Sequence, residues 1–413
     1  MSQGQGKQSQ PRPLPLAGIR VLDLGQFIAI PFCSLWLAWL GAEVIVIESR
    51  RRMTSRTAPP FAEGREKEPN ASGYFNQLYS SKKSVTVDMT TAEGRDLVRR
   101  LAGVCDVMVD NFSTGVLEKL GLGYEQIAAL NPSIIMLSNG AFGRAGAMRN
   151  SRGLHSAVNL FSGVAEVTGY ADSHPRILGG CIPDPLSGTY SGFAIMAAIY
   201  HRQKTGQGQF IDVAMHEAML SLIPEAVIDL TMNDVEPTRI GNRDRVNAPH
   251  GIYQGREDGT WLAVSVNDET EWAAFCNATR HPDWPSDPRF ATLDARQKNV
   301  DALDLAIGAW VRGQNVSEAT DLLQSAGVPS GPVLRLDEML DHEQLLARDG
   351  VVTIDHPVVG PRRQMALPWR MDSLGIEYKS APLLGEHTHE ILTGLLGVTE
   401  PDYARLEAGG VLS

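Results

Sequence analysis

The chain has 413 residues, enough for one large domain or two, and 43% of them are hydrophobic against 21% charged, as in ordinary globular proteins. Its net charge of −11 leaves no excess of Lys and Arg to neutralise phosphates, which argues against a nucleic-acid partner but not against a local basic patch for a small anion. No apolar run reaches the ~20 residues of a membrane span, because Pro31 interrupts the longest, "FIAIPFCSLWLAWLG". With no signal peptide in view, the expectation is a cytoplasmic protein without a membrane association.

Residues 1–14 are polar and rich in Gln, Gly and Pro, and read as a disordered tail. "IRVLDL" (Ile19 to Leu24) has strand character. A helical stretch follows from about Ala29 to Leu40, with Gly41 as its stop, and "EVIVIE" is a second strand. The pattern recurs. "SVTVDM" is a strand, and Thr90 and Glu93 have capping-box spacing before a helix with Leu97, Val98 and Leu101 on one face. "DVMVDNF" and "IIMLSNGAFG" are strands separated by the helical "YEQIAAL". Strands without polar alternation, joined by helices, predict a large doubly wound Rossmann-like α/β domain over residues 15–224.

A long helix is expected from Pro185 to about Arg202, then the strand "FIDVAM". After Pro224 the β-α rhythm is lost. "WLAVSV", the Trp- and Pro-rich "HPDWPSDPRF" and two amphipathic stretches suggest a smaller α+β domain over 225–335, with its exit at "AGVPSGPV". Residues 336–413 read as a return to the first domain.

The four cysteines are scattered, without CxxC or ligand spacing, and read as free thiols of a reducing compartment. The turn after the first strand, "DLGQFIAIP", lacks the GxGxxG of a dinucleotide site, and "GAFGRAG" is no Walker loop. "ESRRRMTSR" and "SSKKS" fall in loops beside strand ends and offer cations for a ligand with several phosphates, or solvated surface charge. The histidines of "EHTHE" are two apart and diverge on a helix, so no metal site is expected there.

"GGCIPDPLSGTY" raises the main question. Asp184 stands between two prolines before a long helix. It fits an N-cap followed by Pro at the first helical position, with no function. It equally fits a nucleophile that the helix N-terminus keeps ionised, with Gly179 and Gly180 leaving room for a substrate. The local sequence supports both readings.

The chain resembles the class III CoA-transferases, the family of formyl-CoA, carnitine and benzylsuccinate CoA-transferases and related acyl-CoA racemases. The resemblance is carried, in order, by "PLAGIRVLDLGQFIAIPFCSLWLAWLGAEVIVIE", "KKSVTVDMTTAEGRDLV", "DVMVDNFSTGVLEKLGLGYEQIAALNPSIIM", "SGVAEVTGY", "PDPLSGTYSGFAIMAAIYHRQKTGQGQFIDV", "GVPSGPV" and "PLLGEHT". It implies that Asp184 is the catalytic aspartate. It implies that Gln26, Phe27, Ile28, Ala29, Arg50, Lys82, Asn111, Phe112 and Lys119 contact coenzyme A. His155, Gly179 and Gly180 would adjoin the substrate. It implies no permanent cofactor, acyl-CoA and a carboxylic acid as substrates, and an interlocked homodimer or a heteromer with a paralogous subunit. A succinyl-CoA-type donor with an aryl- or alkylsuccinate acceptor is the expected pair. An acyl-CoA racemase using His155 with Asp184, or a non-catalytic CoA-binding subunit, are the alternatives. Two features depart from the family pattern: Leu154-His155 stands where racemases carry His-Asp, and "GNRDRVNAPHG" stands in place of a glycine-rich loop.

Overall fold

In the computed structural model, which describes residues 12–413, the buried strands send alternate apolar side chains to opposite faces. Val21, Val44, Val46, Val107, Val109, Ile135 and Leu137 point to one core, and Leu22, Ile45, Ile47, Val85, Met108 and Met136 to another. The elements in order are β1 (Arg20–Asp23), α1 (Ala29–Trp39), β2 (Glu43–Glu48), α2 (Gly73–Leu78), β3 (Lys83–Thr86), α3 (Ala92–Gly103), β4 (Val107–Asp110), α4 (Val116–Lys119), α5 (Tyr124–Leu130) and β5 (Ile135–Gly140). Then come α6 (His155–Phe161), α7 (Val164–Val167), α8 (Pro183–Thr205), β6 (Gln209–Ala214) and α9 (Met215–Leu220). The six strands form one parallel sheet in the order β3-β2-β1-β4-β5-β6. α1 and α8 cover the first face; α3 and α5 cover the second. This is the doubly wound arrangement the strand pattern predicts.

Small residues let α8 lie close to α1. Ser187, Gly188 and Ser191 of α8 are buried, and Gly192 lies over the Cys33 sulfur. Gly41 ends the first helix in the left-handed region (φ +100°), and a side chain there would strike Leu14. Helix α3 starts one residue later than the capping-box spacing suggests. Thr91 caps it, accepting from the Gly94 N–H at 3.0 Å, while Thr90 is taken by Asp88.

The described residues divide into two units, those up to 164 with 177–225 and 347–413 in one and 165–176 with 226–346 in the other. The short segment 165–176 thus leaves the first unit, and the second runs past the Arg335 boundary. Residues 1–11 of the tail lie outside the described residues. Arg12–Leu14 are engaged, Gly375 N–H donating to the Pro13 carbonyl at 2.9 Å.

The second unit carries a three-stranded antiparallel sheet of β7 (His250–Gln254), β8 (Trp261–Ser265) and β9 (Ser330–Pro332). Its core joins Leu262 and Val264 to Trp272, Phe275, Leu303, Ile307 and Leu323. "AGVPSGPV" therefore supplies a sheet strand. The return segment packs Leu392, Val398 and Leu406 against Leu97 of α3, and Leu367 against Trp39 of α1.

Candidate active site

In the strand order 3-2-1-4-5-6, the connections from β1 and β4 leave in opposite directions. A crevice opens between such loops at the carboxyl ends of the strands. The β1 loop carries Gln26, Phe27 and Ile28 into Ala29, the first residue of α1; the β4 loop carries Asn111 and Phe112. The Asn111 side chain ties the two, accepting from Gln26 N–H at 2.8 Å and donating to its carbonyl at 2.7 Å. Phe27 holds φ +60°, unusual outside glycine, and is 49% exposed. Strain of this kind, on the order of 1–3 kcal/mol, concentrates at ligand-holding loops.

Asp184 faces this loop. Helix α8 begins two residues before the expected Pro185. Ile182 is its N-cap, Pro183 its first residue and Asp184 its second, and no side chain caps it. The capping reading of Asp184 is therefore corrected. The carboxylate instead lies near the Ala29 N–H at the start of α1, which acts to lower its pKa. It is 8% exposed, and its Oδ2 has no partner. Burial pushes its pKa from the ordinary 3.8 up to about 6, opposed by His155 and by the N–H groups of Ala29 and Asp184 itself. Burial thus outweighs the helix terminus, against the expectation from sequence. The group is still mostly ionised at neutral pH.

His155, the first residue of α6, and Cys181 complete a cluster: one donor atom each from His155, Cys181 and Asp184 lie within 4.8 Å of one another. Tyr74 of α2 adjoins them. Burial first, then the Asp184 and Cys181 charges, push its phenol up, so it stays a proton donor. Gly179 and Gly180 are exposed beside the cluster, and a side-chain carbon at either would meet open space. Only Gly180, at φ +69°, needs glycine for its backbone.

The basic loops behave differently from their sequence reading. Lys82 is fully buried: its Nζ meets Asp23 at 3.2 Å, the Pro31 carbonyl at 2.9 Å and Ser34 Oγ at 2.7 Å. It offers no ammonium to a phosphate, so that assignment is corrected. Lys83 pairs with Glu43 and Glu390, and Arg56 grips Glu48. Arg50 is exposed with its guanidinium beside Gly385, and Lys119 is exposed at the end of α4.

Sequence reading passed over a further set. A cavity of about 670 Å³ is lined by Asn111, Phe112, Arg144, Arg149, Arg152 and His155, among others. Arg144 anchors it through Asp110 at 2.6 Å, and burial raises the Asp110 pKa to about 6. Arg149 and Arg152 are exposed there. Their sequence signal is the arginine-bearing "GRAGAMRNSRG", which extends beyond the "GAFGRAG" considered as a phosphate loop. Tyr74 carries no signal of its own, and Cys181 is marked only by standing three residues before Asp184, a place that also suits a small buried hydrophobe. In "EHTHE", His387 accepts from Ser84 N–H at 3.3 Å and His389 meets Glu400 at 2.9 Å, so the two go separate ways.

The family model described as CoA-transferase family III matches residues 16–388. The chain belongs to this family. Its curated relatives include a succinyl-CoA–D-citramalate CoA-transferase of Chloroflexus aurantiacus, 34% identical over 98% of this chain and 100% of that one. A formyl-CoA:oxalate CoA-transferase of Rhodopseudomonas palustris is 30% identical over 96% and 97%. Among solved structures, a CaiB/BaiF family protein of Brucella suis superposes with a TM-score of 0.84, at 30% identity, over 93% of this chain and 100% of that one. The family III chain is thus a CoA-transferase enzyme that takes CoA thioesters as substrates. Among its described residues, no helix is long and apolar enough to cross a membrane.

Proposed function

We propose that this enzyme transfers CoA from a succinyl-CoA-type donor to a dicarboxylic acid of the substituted-succinate class, aryl or alkyl, through covalent intermediates on Asp184. One observation carries the reading: a buried carboxylate with an unpartnered oxygen, beside the Ala29 N–H at the crevice between β1 and β4.

The Asp184 carboxylate attacks the thioester carbonyl. The C–S bond breaks, CoA leaves as thiolate, and a mixed anhydride remains. The thiolate attacks the aspartyl carbonyl of that anhydride and releases the donor acid, leaving an aspartyl-CoA thioester. The acceptor carboxylate displaces the thiolate and forms a second anhydride. The thiolate then attacks its acyl carbon and returns Asp184 as a carboxylate. Proton and charge balance close at every step, and the thioester energy is kept in covalent form, so no nucleotide hydrolysis is required.

Coenzyme A lies along Gln26, Phe27, Ile28 and Ala29, with Asn111, Phe112, Lys119 and Arg50 around it. Gly179 and Gly180 leave room for the acyl group beside Asp184. Arg149 and Arg152, in the cavity that reaches His155, pair the second carboxylate of the acid. The relatives named for D-citramalate and oxalate support a dicarboxylic acceptor. The enzyme works in the cytoplasm, where a reducing environment keeps its four cysteines as free thiols.

The enzyme works as a dimer of this chain. Tyr190, Phe193 and Tyr200 make an exposed apolar stripe along α8, Phe193 being 75% exposed, and a second copy covers it. Light scattering at low concentration tests this, and a stable monomer opposes it.

A screen of acyl-CoA donors against carboxylic acids, with and without any co-encoded paralogue, tests the substrate assignment. Succinyl-CoA with a substituted succinate is expected to be the most active pair. In that assay Arg152→Gln raises KM for the acid and leaves that for the donor; the opposite split moves Arg152 to the CoA phosphates. A second reading, acyl-CoA racemase, draws on the closeness of His155 to Asp184. It requires isotope exchange at the substrate's α-carbon without CoA transfer.

A further inference from the structure

We propose that a borderline-soft divalent cation, with Zn²⁺ as the probe, binds on His155, Cys181 and Asp184 and reversibly blocks transfer. The three residues offer one imidazole nitrogen, one sulfur and one carboxylate oxygen, all within 4.8 Å of one another. That donor set suits zinc and its neighbours, whereas hard cations such as Mg²⁺ prefer several oxygens. Zinc bond lengths and a tetrahedral angle put ligand atoms about 3.3–3.8 Å apart, so the cluster must contract by only about an ångström. His155 and Cys181 are part-exposed and sit at loop–helix junctions, free to make that movement.

A second observation points the same way. Asp184 is more than nine-tenths buried, one of its carboxylate oxygens belongs to this cluster, and its Oδ2 has no hydrogen bond. A cation there gives the orphaned oxygen its partner. The Cys181 thiol releases its proton to solvent and binds as thiolate. Three protein ligands leave a fourth position for water or a substrate carboxylate. The blocking half of the proposal rests on Asp184 as nucleophile, because the cation occupies the electron pair that would attack the thioester.

The test uses the full-length enzyme stripped with EDTA. Calorimetry with Zn²⁺ alone is expected to show one site per chain, and Co²⁺ alone to give thiolate-to-metal absorption. Zn²⁺ abolishes transfer, EDTA restores it, and Mg²⁺ has no effect. Cys181→Ala and Cys181→Ser bind Zn²⁺ about a hundredfold more weakly, and whatever transfer each retains resists Zn²⁺ inhibition, since losing a ligand costs at least as much as losing a ligand's support. Absence of saturable Zn²⁺ binding, or equal binding by parent and both variants, overturns the site. Binding through Cys181 that leaves transfer untouched overturns the inhibition and counts against Asp184 as nucleophile. Lack of binding by an enzyme that still forms an Asp184 adduct overturns this inference alone.

Discussion

Gly188 lies so close to Ala29 that a side-chain carbon built on it would stand 2.6 Å from the Ala29 carbonyl oxygen. The contact is backbone against side chain, so neither helix yields cheaply. It also sets where the Ala29 N–H meets Asp184. Gly188→Ala is expected to cost about 1–3 kcal/mol in urea unfolding, as overpacking does. It should also lower kcat more than it raises KM for the acyl-CoA. A variant with parent kcat would show that the α1–α8 spacing does not position the carboxylate.

Asn111 holds the other side of the loop. Asn111→Ala removes two hydrogen bonds to Gln26, worth about 1 kcal/mol each. KM for acyl-CoA is expected to rise severalfold with a smaller change in kcat. Asn111→Asp keeps the acceptor for Gln26 N–H and loses the donor, so it should fall between the two. Steady-state kinetics with one donor decides this.

Lys82 provides the stability counterpart. Burial lowers its pKa, with Asp23 opposing. Lys82→Ala leaves the Asp23 charge inside the protein without its partner, at a cost of roughly 3–5 kcal/mol. The urea midpoint should drop sharply, while the folded fraction keeps its affinity for CoA in calorimetry. Parent-like stability with lost CoA binding would return Lys82 to the phosphates.

Asp184 predicts a pH signature in both activity and stability. Its pKa is raised to about 6, so kcat/KM should fall about tenfold per pH unit below that value. A carboxyl whose folded pKa lies above its unfolded value holds its proton more tightly when folded. The charged form therefore destabilises the protein fully above about pH 6, and the penalty vanishes as pH falls through the unfolded value near 4. Asp184→Asn should accordingly be more stable than the parent at pH 7.5, by about 1–3 kcal/mol, and equal to it near pH 4. Chemical unfolding at the two pH values checks the sign; an Asn variant less stable than the parent at pH 7.5 contradicts it.

Much of this fold can be read from hydrophobic pattern. Val44 to Ile47 and Val107 to Val109 are apolar on both faces, which requires helices on both sides, and the observed sheet follows. The helix starts were less legible. Thr90 and Thr91 both suit a cap, and only the competing Asp88 decides. At "IPDP", Pro183 is as acceptable in a first turn as Pro185, so the local rule misplaced Asp184 by two positions. Lys82 shows a limit of another kind. A lysine beside a strand looks like surface charge until Asp23, fifty-nine residues earlier, is found beneath it. In the cluster of His155, Cys181 and Asp184 the local chain brings only Cys181 to Asp184; His155 has no spacing signal, because the fold brings α6 to the start of α8.

The central claim is that Asp184 becomes covalently loaded. The direct measurement is peptide mass analysis after the enzyme is mixed with donor acyl-CoA and trapped with hydroxylamine or borohydride. The predicted result is a modified Asp184 in the parent, none in Asp184→Asn, and a loss of transfer in that variant on the order of a thousandfold or more. An unmodified Asp184 under turnover, or an Asn variant that transfers CoA at the parent rate, would contradict it.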